Sequence, residues 1–154
     1  MPSRRQTLIA KAGHAMQAYQ RSTQAFDDAV GRELGLNPTD VRCLDWLADG
    51  PKSAGELSSG TGLSSAATTT LIDRLERRGW VRRARDDADR RRVLVEMTDE
   101  GRERVARYYG PLVRDGISLF SGISDEELAR MLDWLVAARE LTDRHREGIR
   151  ERGV

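Results

Sequence analysis

The sequence predicts a mainly helical fold of the α+β type, with one two-stranded β-hairpin near its middle. Two observations lead to this prediction. Apolar residues recur at three- and four-residue steps over most of the 154 residues, which is the period of an amphipathic helix. After Gly79 the period changes, and two short extended runs flank a turn-like segment at 86–89. The predicted order is therefore four helices, a hairpin and two further helices.

The first two predicted helices cover residues 4–34 and about 39–48. Gly35 ends the first helix, the turn at 37–40 starts the second, and the second stops at 49–51. Their apolar positions are Leu8, Ala12, Ala15, Tyr19, Phe26, Val30 and Leu34 in the first helix, and Val41, Leu44, Trp46 and Leu47 in the second.

The next two predicted helices are short and begin at serine caps. Ser53 and Glu56 form a capping box at the start of the third helix, which Leu57 anchors. A tight turn at 60–63 follows, and Ser64 caps a fourth helix that ends at 78–79. The apolar face of the fourth helix is predicted to consist of Ala67, Leu71 and Leu75.

The hairpin and two longer helices complete the chain. Its strands are predicted over 80–85 and 92–97, and Thr98 caps a fifth helix that should kink at 110–111. A capping box from Ser124 opens the last helix, and the charged tail from Asp143 is expected to fray. The apolar stripes are Val105, Tyr108, Tyr109, Leu112, Leu119 and Phe120 in the fifth helix, and Leu128, Met131, Leu132, Leu135, Val136 and Leu141 in the sixth.

Composition excludes several classes of function. A single cysteine and two histidines exclude a disulfide framework and argue against a metal site, and no cofactor is predicted. No stretch approaches the ~18 apolar residues of a membrane span, so a soluble, cytoplasmic protein is expected. An enzyme is the weakest hypothesis, because the sequence has no glycine-rich phosphate loop, no nucleophile motif and no His/Cys cluster.

The charge distribution is uneven although the net charge is only +1. Residues 74–92 contain nine arginines and four acidic residues, a net of +5, so the rest of the chain sums to −4. Such a basic stripe on an acidic body is an electrostatic footprint for nucleic acid. A solvated arginine-rich face, or a network of surface salt bridges with the acids of the turn, is the alternative interpretation.

The order of a short helix, a glycine-containing turn, a second helix and a basic hairpin is that of a winged helix-turn-helix. The major groove, about 12 Å wide, admits one helix, which must present small polar or basic side chains. The hairpin places arginines at its tip, where a narrow minor groove attracts them, and Asp89 is predicted to hold the neighbouring arginine. The candidate DNA-binding residues are Ser53, Ser64, Ser65, Ala66, Thr69, Thr70, Arg74, Arg77, Arg90 and Arg91.

Two stretches together resemble the MarR family of transcriptional regulators. Asp89-Arg90-Arg91, with 94–98 and Gly101, is similar to the wing and exit of that family, and 71–81 to the end of its recognition helix and the first wing strand. The resemblance covers nearly the whole chain. It implies a homodimer built from the first and last helices that binds pseudo-palindromic double-stranded DNA, usually as a repressor released by a small molecule. Thr70 departs from the pattern, since many members carry a basic residue there.

The apolar stripes of the terminal helices also predict a dimer. They are longer than one small winged domain can cover, and exposed apolar patches normally mark interfaces; packing of three helices within one chain is the alternative. The predicted organisation is an N-terminal dimerisation helix (4–35), a winged helix-turn-helix (36–98) and C-terminal dimerisation helices (99–150). The candidate interface residues are Leu8, Ala12, Leu128, Met131, Leu132 and Leu135.

Three further hypotheses concern sensing or an alternative function. The resemblance implies a ligand cleft between the dimer helices and the winged domain. Cys43 raises the alternative of a redox sensor, although it has no partner cysteine and a buried cysteine usually packs as a small apolar residue. A winged helix used only for protein–protein contact is the other alternative. The candidate lining residues of the cleft are His14, Tyr19, Trp46, Tyr108 and Tyr109.

Overall fold

The computed structural model describes residues 2–86, 89 and 92–152, and it is mainly helical with one two-stranded antiparallel sheet, as predicted. The chain divides into two compact units whose boundary lies between Tyr108 and Tyr109. In the described ranges, no helix combines the length and apolar character that crossing a membrane requires. The elements are α1 (Arg4–Leu34), α2 (Pro38–Ala48), α3 (Ala54–Thr61), α4 (Ser65–Arg77), β1 (Val81–Arg85), β2 (Val93–Met97), α5 (Asp99–Ile117), a 3₁₀ helix (Ser118–Phe120) and α6 (Asp125–Arg152).

Side-chain caps place the helix starts where the sequence predicts them. Ser53 and Glu56 form a reciprocal capping box at α3, and the Ser64 side chain accepts a hydrogen bond from the backbone N–H of Ala67 at the start of α4. Asn37 caps α2 and Pro38 occupies its first turn, so this helix begins one residue earlier than predicted. Proline suits that position because its missing N–H has no helical partner there.

The hairpin pairs in a simple antiparallel register, from Val81 opposite Met97 to Arg85 opposite Val93. The outer side of β2 is also paired, because Lys52 and Val95 exchange two backbone hydrogen bonds of 2.9 and 2.7 Å. Sequence reasoning did not predict this third strand-like contact, which fixes β2 to the residue immediately before the cap of α3.

One core joins α2, α3, α4 and the hairpin. Leu57, Leu75 and Trp80 are among its fully buried members. The inward face of α4 differs from the prediction, because Ala67 is exposed and Thr68 is fully buried in its place. The Thr68 hydroxyl donates to the Ser64 carbonyl at 2.9 Å, so its polar atom is satisfied and its methyl group can pack like an apolar side chain. The buried residues of α4 are Thr68, Leu71, Ile72 and Leu75.

The C-terminal region departs from the prediction at two points. Leu119 and Phe120, which the sequence assigns to the fifth helix, lie in the 3₁₀ helix that follows α5. The tail expected to fray from Asp143 is helical, since α6 continues to Arg152, with an Asp143–Arg146 ion pair at 3.1 Å on its surface. Charged residues three positions apart support a solvated helix in this way. α5 continues through Pro111, and the kink there stays a prediction.

Candidate nucleic-acid interface

The outer face of α4 presents small side chains to solvent. Ser65, Ala66, Thr69 and Thr70 are all exposed, opposite the buried face of the helix. The hydroxyls of Thr69 and Thr70 donate to the carbonyls of Ser65 and Ala66 at 3.0 and 3.1 Å. Because these hydroxyl protons are used within the helix, the threonines offer lone pairs and methyl groups outward. Such a surface can accept from base amino groups and contact the methyl group of thymine.

The two predicted serine contacts are engaged as helix caps. The Ser53 hydroxyl lies 2.6 Å from a Glu56 carboxylate oxygen and also accepts the backbone N–H of Glu56 at 3.2 Å. The hydrogen bonds from Ser53, and then the proximity of Arg92, lower the pKa of Glu56. Ser64 is exposed and accepts from the Ala67 N–H at 3.3 Å. The role of either serine in binding DNA stays a prediction.

Arg74, whose side chain is 37% exposed, is paired with a buried carboxylate. Its guanidinium forms an ion pair with Asp40, whose side chain is only 2% exposed, and this pair joins α4 to the first turn of α2. The Arg74 Nε is buried and has no hydrogen-bond partner among the described atoms. A buried carboxylate such as Asp40 needs a positively charged partner, here the Arg74 guanidinium, to offset its desolvation. This geometry favours a structural role for Arg74 over the phosphate contact that the sequence suggests.

Three further arginines of the basic cluster are paired with carboxylates. Arg82 Nε lies 2.7 Å from Glu96 on the opposite strand. The remaining two arginines connect the hairpin to helices: Arg83 pairs with Asp73 and Glu76 of α4, and Arg92 Nη2 lies 2.9 Å from Glu56 of α3. The cluster therefore presents less free positive charge than its sequence suggests.

Other arginines of the cluster face solvent. Arg77 and Arg85 are exposed and form no ion pair within the described part of the chain, and Arg78 donates to the Leu34 carbonyl at 3.4 Å. Arg90 and Arg91 lie outside the described residues. The carbonyl of Asp89 accepts from the Arg92 N–H at 2.8 Å, while its predicted role in holding an arginine of the wing stays a prediction.

Comparison with known proteins assigns this arrangement to a family. A sequence profile described as the MarR family matches residues 34–92. The HTH-type transcriptional regulator YcgE of Bacillus subtilis (strain 168) is 34% identical over 130 residues, which are 84% of this chain and 84% of YcgE. The chain belongs to the MarR family. The members of this family are DNA-binding transcriptional regulators and not enzymes, and α4 and the hairpin occupy the positions of the recognition helix and the wing in a winged helix-turn-helix.

Two other relatives extend the comparison. The HTH-type transcriptional repressor NicR of Pseudomonas putida is 34% identical over 96 residues, which are 61% of this chain and 60% of NicR. A solved structure of a MarR family protein from Bacillus stearothermophilus aligns with a TM-score of 0.64 at 23% identity. That alignment covers 93% of this chain and 99% of the other, and it shows that the two share a fold.

The residues predicted to line a ligand cleft lie on three helices, α1, α2 and α5, and their role in binding an effector stays a prediction. His14 and Tyr19 are exposed, whereas the Trp46 indole lies against Gly60 of α3, where an added Cβ would approach it to 2.4 Å. Tyr108 and Tyr109 are half-buried on either side of the boundary between the two units. One apolar groove contains none of these five residues; it is lined by Phe120, Asp125, Leu128, Ala129, Met131, Leu132 and Leu135.

Cys43 lies in the core and is fully buried. Burial first, and then the nearby Asp40 carboxylate, raise the pKa of its thiol from 9.0 to about 12. A reactive cysteine needs access and a lowered pKa. The geometry therefore argues against a redox sensor of the MarR family at this position.

The predicted interface residues of the terminal helices are exposed. Leu8 is 57% exposed on α1, and Leu132 is 60% exposed on α6. The other predicted interface residues, Ala12, Leu128, Met131 and Leu135, are also exposed. Their role as a dimer interface stays a prediction.

The site also contains acidic residues that sequence reasoning missed. Asp40, Glu56, Asp73 and Glu76 each hold an arginine of the basic cluster. A local signal existed for Asp73 and Glu76, which are three residues apart on the flank of the recognition helix. No local signal existed for Asp40, which is 34 residues from its partner Arg74.

Proposed function

We propose that this regulator binds pseudo-palindromic operator DNA as a homodimer and represses transcription. The observation that carries the proposal is the exposed face of α4 (Ser65, Ala66, Thr69 and Thr70) in a helix that begins at a serine cap and is followed at once by a basic hairpin. A helix with small outer side chains can enter the major groove, while a basic hairpin can reach the adjacent backbone or minor groove.

Exposed apolar side chains support the dimer. Six large apolar residues of α6 and of the preceding 3₁₀ helix are 41–77% exposed. Leu119 is the most exposed of them and Leu128 the least. The six are Leu119, Phe120, Leu128, Met131, Leu132 and Leu135. Contiguous apolar patches of this kind mark interfaces. A two-fold dimer would place two recognition helices about 34–36 Å apart, one turn of B-DNA, on one face of the duplex.

Repression and release by a ligand are the finer parts of the proposal. Repression is supported by the relative NicR, which is a transcriptional repressor. A small molecule would release the DNA by binding more tightly to a dimer in which the spacing of the recognition helices does not match the operator. His14, Tyr19, Trp46, Tyr108 and Tyr109 remain the candidate residues for that effector.

Selection of bound sites from a pool of random duplexes tests the proposal directly. We expect enriched sites with two inverted half-sites about 10 base pairs apart. Contact with ~4 phosphates per protomer should give a log–log salt slope near −7, at roughly 0.9 per phosphate. Sedimentation of the free protein should show a dimer. A monomer that binds no duplex at low salt would overturn the proposal and favour a winged helix used for protein–protein contact.

Single substitutions separate base contacts from backbone contacts. Ser65→Ala and Thr69→Ala should change base preference, whereas Arg91→Ala should weaken binding to all duplexes. Arg82→Ala is the matched control in the hairpin, because Arg82 is already paired across the strands with Glu96. Unchanged affinity of Arg91→Ala in gel-shift titrations would contradict the assignment of the wing.

A further inference from the structure

Arg83 joins the wing to the recognition helix through three hydrogen bonds. Its Nη2 donates to Asp73 Oδ1 at 2.5 Å, its Nη1 donates to Glu76, and its backbone N–H donates to Glu76 Oε1 at 3.1 Å. One residue of β1 thus holds two carboxylates from successive turns of α4. We call Arg83, Asp73 and Glu76 the wing clamp.

The neighbouring arginine shows that this arrangement is specific to one face of the strand. Arg82 points to the opposite face of β1 and pairs with Glu96, directly across the hairpin. The other strand is attached on its outer side, through the Lys52–Val95 backbone bonds and the ion pair between Arg92 and Glu56. The base of the hairpin is therefore held on one side by α4 and on the other by the start of α3.

The net charge of the wing clamp is electrostatically unfavourable for a protein that binds a polyanion. Two carboxylates and one guanidinium sum to −1, and they lie on the flank of the helix proposed to enter the major groove. Their side chains are 34–44% exposed, and exposed ion pairs contribute little to stability. Neither attraction to DNA nor a contribution to the free energy of unfolding accounts for acidic residues at these positions. Their contacts with Arg83, which attach the hairpin to α4, do account for them.

We infer that Arg83 is a positioning residue, which with Asp73 and Glu76 sets the angle of the wing relative to the recognition helix. The inference rests on the proposed function, because it assigns the clamp a role in DNA binding by α4 and the hairpin. A wing held at one angle reaches the DNA while the outer face of α4 is seated in the groove. Without the clamp, part of the binding free energy is lost in ordering the hairpin.

Removing the carboxylates distinguishes a positioning role from an effect of charge alone, because the two predict changes in DNA affinity of opposite sign. The double variant Asp73→Asn/Glu76→Gln keeps the shape of both side chains and removes two negative charges. Positioning predicts DNA affinity about 5- to 30-fold weaker, which corresponds to about 1–2 kcal/mol at about 1.4 kcal/mol per tenfold change. If the carboxylates acted only through their charge, the variant would bind the polyanion more tightly. Glu96→Gln, which removes the carboxylate paired with Arg82, is the matched control and should bind equally or more tightly.

A double-mutant cycle tests whether Arg83 acts through the wing. Arg83→Ala should weaken binding about as much as the double variant, and Arg83→Lys should recover only part, since an ammonium group cannot hold both carboxylates as a planar guanidinium does. In a chain that already carries Arg91→Ala, the further change Arg83→Ala should reduce the free energy of DNA binding by less than half as much as it does in the parent. Full additivity would indicate a direct phosphate contact by Arg83 and overturn the inference.

The outcomes distinguish the two proposals. Circular dichroism and thermal melting should show that each variant folds with a melting temperature within a few degrees of the parent, as expected for exposed pairs. If the parent binds its selected duplex and the double variant binds equally or more tightly, the positioning role is wrong and the proposed function stands. If the parent binds no duplex, the proposed function fails, and the inference fails with it.

Discussion

The region around the recognition helix and the C-terminal region use similar apolar residues in opposite ways. Leu57 and Leu75 are fully buried in the core formed by α2, α3, α4 and the hairpin. Leu132 and Leu135 on α6 are 60% and 51% exposed. From residue 109 onward, none of the residues whose burial the structure describes is buried.

This difference indicates which region folds by its own contacts. Burial of leucine side chains contributes about 1.5–3 kcal/mol each, so the winged helix-turn-helix has an internal source of stability. The large apolar side chains described on α6 are 39–65% exposed, and they gain further burial only against another apolar surface. In the proposed dimer, a second copy of the chain would supply such a surface with two-fold symmetry.

The largest expected effect comes from truncating one leucine in each region. Leu75→Ala should lower the free energy of unfolding by about 2–5 kcal/mol, because it leaves a cavity in the core. Leu132→Ala should change the stability of the dilute protein by less than about 0.5 kcal/mol, as an exposed substitution does. Urea denaturation followed by tryptophan fluorescence measures both.

Protein concentration separates the two regions further. The loss of unfolding free energy in Leu75→Ala should be the same at every protein concentration. In Leu132→Ala the loss relative to the parent should grow as the protein is concentrated, because dimerisation stabilises the parent by mass action. A large loss in Leu132→Ala that is independent of concentration would show that α6 packs within its own chain.

The sequence alone was sufficient for features set by neighbouring residues. Ser53 and Ser64 were predicted as caps and observed as caps, because a cap and its partner lie within three residues of each other. The hairpin was predicted from the change of period after Gly79. The inward face of α4 was misplaced by one residue, since apolar periodicity ranks Ala67 above Thr68 and does not detect that a threonine can satisfy its hydroxyl within the helix.

Features set by distant residues could not be predicted in the same way. The sequence presents the arginines of residues 74–92 as one basic cluster, but the pairing of Arg74 with Asp40 and of Arg92 with Glu56 joins residues 34 and 36 positions apart. Only the packed fold brings these partners together. Which arginines remain available for DNA is therefore a property of the tertiary structure and not of the composition.

A second, intermediate effect is expected at Cys43, the buried thiol of the core. Its pKa is raised from 9.0 to about 12, so folding favours the neutral thiol, and the stability it contributes is complete below pH 9 and is lost as the pH rises from 9 towards 12. Between pH 8 and pH 10, the parent should lose about 1.4 kcal/mol more than Cys43→Ala does, which corresponds to one pH unit of linkage. Urea denaturation at the two pH values measures the difference.

Thiol labelling extends this prediction to the C-terminal region. Native Cys43 should react with a thiol-specific disulfide reagent only as fast as the core opens, and peroxide should leave DNA binding unchanged. Leu132→Cys in a Cys43→Ala background should react quickly in dilute protein and slowly at concentrations that favour the dimer. Rapid labelling of native Cys43 would contradict its burial and reopen the redox hypothesis.

The smallest expected effect contrasts one carboxylate from each region. Partial burial first, and then the nearby Asp27 and Asp49, raise the pKa of Asp45 on α2, whereas hydrogen bonds from Ser124 lower the pKa of Glu127 at the start of α6. Folding thus disfavours the charge on Asp45 and favours the charge on Glu127.

Neutralising the two carboxylates should therefore change the stability of the protein in opposite directions. Asp45→Asn should stabilise the protein at pH 7 by less than about 0.5 kcal/mol, and this gain should shrink as the pH falls through the raised pKa and as salt is added. Glu127→Gln should lower the melting temperature at pH 7, and this difference should shrink as the pH falls below 4.5 and through the lowered pKa of Glu127, where the parent carboxyl becomes protonated. Thermal melts of both variants and the parent at pH 4 and pH 7 measure these differences. Shifts of the same sign in the two variants at pH 7 would mean that net charge, and not the local surroundings of each carboxylate, determines the response.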